Sequence, residues 1–168
     1  GKCFYLRDYN NKTGLINDVY SELSIYQHLM NRQSTSEIIG YSYDEDDEYI
    51  CILMKYYSSL SLADYIQNHT ITDREKMNIT QGLCDCLKEI HSCHIIHCDI
   101  KPHNIIYEMQ TKQIVFIDFG ASTEIDTSKS VEIEENMGTE GYMSDELSFG
   151  YASYQSDIYS LAVTILEL

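Results

Sequence analysis

The chain has 168 residues and carries 27 Asp and Glu against 11 Lys and Arg, a formal net charge of −16 at pH 7. This length fits one domain with a sizeable core, and a hydrophobic content of 43% excludes a disordered acidic tail. The negative balance argues against binding to nucleic acid, which needs a basic face, and against docking on an anionic membrane. The longest apolar runs are too short to span a bilayer, and no secretory leader opens the chain. We therefore expect a cytoplasmic protein.

Six cysteines raise the question of disulfides or a bound metal. A chain of this length with alternating apolar patterns does not need disulfide bonds for its stability, so we expect reduced thiols. Four cysteines and three histidines lie between Cys84 and Cys98. Their spacings contain no paired C-x-x-C arrangement, which makes zinc the less favoured interpretation of this cluster.

Hydrophobic periodicity and turn signals predict a mixed order of strands and helices. The predicted strands cover residues 2–7, 49–57, 105–107 and 114–117, and an acidic turn at 44–48 precedes the second of them. The predicted helices cover 18–30, 62–68, a long segment from about 72, and 157–168. The long helix begins with a Thr-x-x-Glu capping box, and its apolar stripe is Ile79, Leu83, Leu87 and Ile90. Residues 120–150 have little periodicity and predict a long loop.

One constellation carries recognisable chemistry. Residues 97–104 read His-Cys-Asp-Ile-Lys-Pro-His-Asn, and Asp-Phe-Gly follows at 118–120, fourteen residues after Asn104. The catalytic loop of protein kinases has the pattern H-R-D-L-x-x-x-N, and their metal-binding triplet is D-F-G. The two motifs in this order, with a strand–turn–strand between them, resemble the eukaryotic protein-kinase family. Lys101 is similar to the serine/threonine branch of that family.

The resemblance implies a role for each polar residue of the two motifs. Asp99 would orient the hydroxyl that accepts the phosphoryl group, and Lys101 would neutralise charge on that group. Asn104 and Asp118 would supply oxygen ligands to magnesium. ATP and Mg²⁺ are therefore the expected cofactors if the nucleotide site is functional.

The resemblance also implies residues that bind the nucleotide. Glu22 occupies the position that pairs with the nucleotide-anchoring lysine, and Met54 and Tyr56 lie in the hinge, with Met54 as the gatekeeper. The anchoring position itself aligns with Arg7, fifteen residues before Glu22. Lys2 is the alternative anchor, although it aligns less naturally. Arginine is a poor replacement where a compact point charge is needed.

Further positions of the resemblance concern the support of the site. Thr139 would hydrogen-bond the catalytic aspartate and lysine, and Asp157 would hold the catalytic loop from a buried helix. Tyr26 and Phe119 are expected to join His97 in an internal packing spine.

The fold expected from the resemblance is α+β and kinase-like. Residues 1–57 would form a partial small lobe with the hinge, without a glycine-rich loop, and residues 58–168 a partial, mainly helical large lobe. No G-x-G-x-x-G motif occurs in the chain, and Cys98 stands where kinases usually carry the arginine that contacts a phosphorylated activation segment.

Two hypotheses about function remain open. In the first, which the sequence slightly favours, the chain is a catalytically impaired, truncated kinase-like protein that binds and inhibits a complete protein kinase. This architecture is similar to that of truncated kinase-like inhibitors from baculoviruses, which act on kinases of translation initiation factor 2, and such a kinase would be the partner. In the second, the chain is a fragment of an active ATP-dependent serine/threonine kinase.

Overall fold

The computed structural model describes residues 2–44, 48–57, 60–126, 129–134 and 137–168. Helices and strands are both present, and the described strand ladders are antiparallel, which agrees with the α+β prediction. The helices are α1 (Lys12–His28), α2 (Leu62–Asn68), α3 (Asp73–Ser92), α4 (Asp145–Ser148) and α5 (Tyr154–Leu166). The strands are β1 (Lys2–Tyr5), β2 (Ile38–Asp44), β3 (Tyr49–Met54), β4 (Ile95–Ile96), β5 (Ile105–Glu108), β6 (Gln113–Phe116), β7 (Thr123–Glu124), β8 (Val131–Glu132) and β9 (Tyr151–Ala152).

An antiparallel sheet in the order β1-β3-β2 packs against α1. The central strand β3 buries Ile50 and Ile52 completely, and these side chains meet Val19 and Leu23 of the helix. Along β1 the side chains alternate between half-buried and exposed, so Lys2 and Phe4 share the face that looks toward the helix. The sheet therefore presents Lys2 on its inner side.

Helix α1 begins earlier than the sequence predicts, at Lys12 rather than Asp18. The side chain of Asn11 accepts a hydrogen bond from the backbone N–H of Gly14 at 2.9 Å and caps the helix there. Asparagine and glycine usually mark turns, so the sequence pattern predicts the helix only from residue 18. Here the asparagine starts the helix instead.

Helix α3 and its apolar stripe agree with the prediction, but only the threonine half of the predicted capping box is present, because the Glu75 carboxylate accepts from Tyr65 and Lys112 instead. Thr72 caps it by accepting a hydrogen bond from the backbone N–H of Glu75. The four residues of the apolar stripe, Ile79, Leu83, Leu87 and Ile90, are all buried. They form the centre of a cluster that also contains residues of α1, α2, β5, β6 and α5. This core joins the helices to β5 and β6, the short strands that lie between the two polar motifs.

Residues 120–150 are not wholly a loop. The described part contains two short strands, β7 and β8, and the short helix α4. β7 pairs with β4, the strand that directly precedes the catalytic-loop motif, and β8 pairs with β9. Such two-residue ladders give no periodicity that a sequence pattern could reveal. The β4–β7 ladder nevertheless fixes this segment against the strand that leads into residues 97–104, and the β8–β9 ladder fixes it against the strand that precedes α5.

The cysteines depart from expectation at one pair. Cys3 and Cys51 face each other across β1 and β3 and form a disulfide, so the prediction of reduced thiols is wrong for these two. Cys84, Cys86, Cys93 and Cys98 are free. Among the described residues, no group of three or more His, Cys, Asp or Glu could hold a metal ion.

Two further sequence predictions concern the acidic turn and membrane-spanning helices. The acidic turn at 44–48 connects β2 and β3, but its residues 45–47 lie outside the described residues. In the described ranges, no helix combines the length and the apolar character needed to cross a membrane.

Candidate active site

Three side chains converge on the carboxylate of Asp99. The ammonium of Lys101 donates to Asp99 Oδ2 at 2.9 Å, and the hydroxyl of Thr139 donates to Asp99 Oδ1 at 2.6 Å. The same ammonium donates to Thr139 Oγ1 at 2.6 Å, which closes a ring of hydrogen bonds. The segment around 139 thus lies against the catalytic loop as the resemblance implies. Ionised partners make these bonds stronger than neutral ones.

Asn104 is tied to the same aspartate. Its Nδ2 donates to the backbone carbonyl of Asp99 at 2.9 Å and to Asp99 Oδ2 at 2.8 Å. Because the amide nitrogen makes both contacts, the carbonyl oxygen Oδ1 of Asn104 is the atom that could coordinate a cation. Asn104 is itself buried, on the turn that leads into β5, so its orientation is well determined by its surroundings.

A buried carboxylate holds the catalytic loop from below. Asp157, in the first turns of α5, is fully buried and accepts hydrogen bonds from the backbone N–H of His97 at 2.8 Å and of Cys98 at 3.0 Å. His91 Nε2 lies 2.9 Å from Asp157 Oδ2. Cys98 has a φ of +65°, a conformation that costs free energy in a residue with a side chain. The two hydrogen bonds to Asp157 stabilise that backbone.

His97 takes part in a chain of contacts between aromatic rings. Its ring centroid lies 4.7 Å from that of Phe119, and Phe119 lies 5.1 Å from Tyr26 of α1. The expected packing spine is therefore present. Burial lowers the pKa of His97 and outweighs the opposing charges of Asp157 and Asp99. The neutral ring is consistent with its contacts, because Asp99 N–H donates to Nδ1 while Nε2 lies 3.3 Å from the carbonyl of Ile117.

The second group of charges joins the sheet, α1 and the Asp-Phe-Gly motif. The ammonium of Lys2 lies 3.0 Å from Glu22 Oε2 and 2.8 Å from Asp118 Oδ1. The side chain of Glu22 is almost completely buried, at 3% exposed, whereas Lys2 and Asp118 are partly open to solvent. Asp118 has a φ of +63°, and its backbone N–H donates to the hydroxyl of Tyr26 at 3.3 Å.

The electrostatics of this triad follow from burial and pairing. Burial works to lower the pKa of Lys2, but the hydrogen bonds and charges of Asp118 and Glu22 outweigh it and raise the pKa above its ordinary value. Burial works to raise the pKa of Asp118, and the hydrogen bond and charge of Lys2 overcome it, so that pKa is lowered. For Glu22, burial prevails over Lys2 and the pKa is raised. Lys2 therefore stays charged and Asp118 ionised at neutral pH.

The prediction that Arg7 anchors the nucleotide and pairs with Glu22 is wrong. Strand β1 ends at Tyr5, and Arg7 lies in a single 3₁₀ turn in which Leu6 takes the buried position. The arginine side chain is 68% exposed and lies 3.9 Å from Asp8. Lys2, the alternative anchor, makes the contacts instead.

A cavity of about 290 Å³ is lined by residues of the sheet, of α1 and of the Asp-Phe-Gly motif. Its lining includes the residues predicted for the nucleotide site other than Arg7, namely Glu22, Met54, Tyr56 and Asp118, together with Lys2. The volume is at the lower end of that of small-molecule sites. Asp99, Lys101 and Asn104 are not among the lining residues; they precede the strand β5, which supplies Ile106 to the wall.

One pairing of the site was the less favoured alternative from the sequence, and one contact was not foreseen. The pairing of Lys2 could have been found from the alternation in β1, because Lys2 and Phe4 share a face and Arg7 falls beyond the strand. The contact of His91 with Asp157 joins residues 66 positions apart, and no local pattern in the sequence marks it.

Comparisons with known proteins agree with this geometry. A family model described as "Protein kinase domain" matches residues 1–168. Serine/threonine-protein kinase D of a Synechocystis species is 34% identical over 94% of the chain, and serine/threonine-protein kinase PrkC of Bacillus subtilis is 32% identical over 76%. Mitogen-activated protein kinase kinase SIPKK of Nicotiana tabacum is 32% identical over 99%. The chain spans 32%, 20% and 47% of the lengths of these three relatives, respectively.

Proposed function

This chain belongs to the protein kinase domain family, and on that premise we propose that it is a catalytic segment of an ATP-dependent serine/threonine protein kinase. The observation that carries the proposal is the paired arrangement of two charged groups. Asp99, Lys101 and Thr139 form one group, and Lys2 with Asp118 belongs to the other. Phosphoryl transfer depends mainly on such positioning and charge stabilisation.

The first group would act on the hydroxyl acceptor. Asp99 would accept a hydrogen bond from the serine or threonine hydroxyl of a protein substrate and orient its oxygen toward the phosphorus atom. Lys101 is held between Asp99 and Thr139, and its ammonium would offset negative charge on the phosphoryl oxygens. Both side chains are held before substrate binds, which lowers the entropy cost of reaching the reactive arrangement.

The second group fits a magnesium-bound nucleotide. Asp118 is ionised and 46% exposed. The Nδ2 of Asn104 makes the contacts with Asp99, so its Oδ1 is the atom that could bind a cation. These two residues could therefore hold Mg²⁺ through oxygen atoms. Lys2 would contact the nucleotide phosphates while Glu22 keeps its ammonium in place. When bound, Mg·ATP supplies the phosphoryl group and the metal charge that stabilises its transfer.

The proposal is tested by phosphoryl transfer from radiolabelled ATP to a serine- and threonine-containing protein, with the full-length protein that contains this segment. We expect Asp99→Asn and Asp118→Asn each to lower the rate by about a thousandfold, because each removes a group that must be positioned. Asp85→Asn is the matched control, since Asp85 is an exposed aspartate on α3.

Equal rates for the wild type and for both site variants would contradict the proposed roles. A failure of the wild type to bind Mg·ATP, measured by calorimetry, would contradict the proposed function itself. A loss of activity in Asp99→Asn or Asp118→Asn supports the proposed roles only if the Asp85→Asn control keeps its activity.

The second candidate function is inhibition of a complete protein kinase, with an initiation-factor 2 kinase as the partner. Its support is a set of exposed apolar side chains on the sheet, Ile39, Tyr41 and Leu53, which another protein could cover. The relatives bear the names of kinases and none that of an inhibitor, which supports the catalytic proposal more strongly. Stoichiometric binding and inhibition of such a kinase, with no phosphoryl transfer by the chain, would reverse this order.

A further inference from the structure

The disulfide between Cys3 and Cys51 joins the strand that carries Lys2 to the centre of the sheet. Cys3 lies directly opposite Cys51 in the register of β1 and β3, and Lys2 is the residue next to Cys3. The ladder of β1 with β3 covers four residues, Lys2–Tyr5. A covalent bond at its second residue therefore limits how far the backbone of Lys2 can move.

Few other contacts hold this strand in place. Its ladder with β3 covers residues 2–5, and only Phe4 reaches the apolar cluster that β3 forms with α1. The ion pair of Lys2 with Asp118 is partly exposed on both sides and contributes little to stability, whereas the pair with Glu22 has one buried partner. A ladder of four residues without a further constraint opens locally at low free-energy cost.

The two sulfur atoms differ in their access to solvent. Cys3 is exposed, whereas Cys51 is 8% exposed and lies in the central strand. An incoming thiol therefore reaches Cys3 more readily. The other cysteines do not compete for this bond, because Cys84, Cys86 and Cys93 lie on or just after α3 and Cys98 lies in the catalytic loop.

We propose that Cys3 and Cys51 form a thiol–disulfide site that responds to low-molecular-weight thiols and controls nucleotide binding through the position of Lys2. The oxidised form holds β1 in register and keeps the ammonium of Lys2 between Glu22 and Asp118. The reduced form frees the strand to open, so that the ammonium spends less time in that place. The part that concerns nucleotide binding rests on the proposed function.

The chemistry is thiol–disulfide exchange, here with glutathione. A glutathione thiolate attacks the sulfur of Cys3, the Cys3–Cys51 bond breaks, and its electron pair leaves with the sulfur of Cys51, which takes up a proton. A second glutathione thiolate attacks the mixed disulfide at its glutathione sulfur. This step releases the Cys3 thiolate and oxidised glutathione, so two electrons pass from two glutathione molecules to the protein.

The test compares the chain after equilibration with oxidised and with reduced glutathione. Titration of the denatured protein with a thiol reagent should find two more thiols in the reduced form. Amide hydrogen exchange of residues 2–5 should become faster on reduction, and the dissociation constant for Mg·ATP should rise by about fivefold as part of the charge-assisted contact is lost.

Two variants separate this effect from general reduction. Cys3→Ser should exchange and bind Mg·ATP like the reduced wild type in both conditions. Cys84→Ser, which removes an exposed free thiol on α3, should respond to glutathione as the wild type does.

The inference is overturned if the number of thiols is the same in both forms, or if exchange of residues 2–5 is unaffected by reduction and by Cys3→Ser. Faster exchange with an unchanged dissociation constant would overturn the control of nucleotide binding but leave the proposed function standing. Absence of Mg·ATP binding in both forms would instead contradict the proposed function, and hydrogen exchange would still decide whether the bond holds β1.

Discussion

Two carboxylates of the site perform comparable tasks in different surroundings. Asp157 is fully buried and holds the catalytic loop through two backbone N–H groups, while Asp118 is 46% exposed and meets the ammonium of Lys2. Loss of a buried acceptor leaves its donors without partners, whereas water can replace an exposed one. From this comparison we expect the proposed acceptor side of the site to be more rigid than the proposed nucleotide side.

The largest effect is expected from Asp157→Ala. This change leaves the buried N–H groups of His97 and Cys98 without acceptors and should lower the free energy of unfolding by about 3 kcal/mol. Urea unfolding measures the loss. Asp157→Asn is the matched variant, since one amide oxygen can still accept, and it should lose less. Equal stability of Asp157→Ala and the wild type would remove the basis of the comparison.

An intermediate effect is expected where the segment before Thr139 crosses the catalytic loop. Gly138 has a φ of +124°, and a Cβ there would lie 2.7 Å from the carbonyl oxygen of Cys98. Gly138→Ala should therefore lower the free energy of unfolding by roughly 2 to 3 kcal/mol. Gly141 also has a positive φ, +90°, but its Cβ would meet nothing within 4 Å. Gly141→Ala should cost only about 1 kcal/mol, and equal costs would show that the close approach to Cys98 does not matter.

The smallest effect on stability is expected from Asp118→Asn. The ion pair with Lys2 is partly exposed and screened, so the loss at neutral pH should stay below about 1 kcal/mol and shrink further as salt is added. Because folding lowers the pKa of Asp118 from 3.8, its contribution is present above about pH 4 and disappears as the pH falls through the lower folded value.

Unfolding of the wild type and of Asp118→Asn should therefore give curves that converge in acid. The comparison between the two proteins isolates Asp118 from Glu22, whose pKa is shifted in the opposite direction. A difference that grows on acidification would contradict the assigned direction of the pKa shift.

Sequence reasoning succeeded where short-range patterns decide the structure. The spacing of the two motifs led to Asp99, Lys101 and Asn104, and periodicity led to the buried stripe of α3. It failed where a partner depends on strand register. Arg7 was preferred over Lys2 because motif spacing was given more weight than the alternation of β1. The disulfide between Cys3 and Cys51 follows from a pairing 48 residues apart, which no local pattern reveals.

The distance along the chain between Lys2 and Asp118 also sets an order in time during synthesis. The two residues are 116 positions apart, so at ribosomal rates Asp118 is added roughly 6 to 23 s after Lys2. Asp157 lies 60 positions after His97, so it is added roughly 3 to 12 s after that residue at the same rates. The nascent chain therefore carries Lys2, Glu22 and the sheet well before it carries the aspartates. Asp157, which accepts from the backbone of the catalytic loop, becomes available only when α5 has been made.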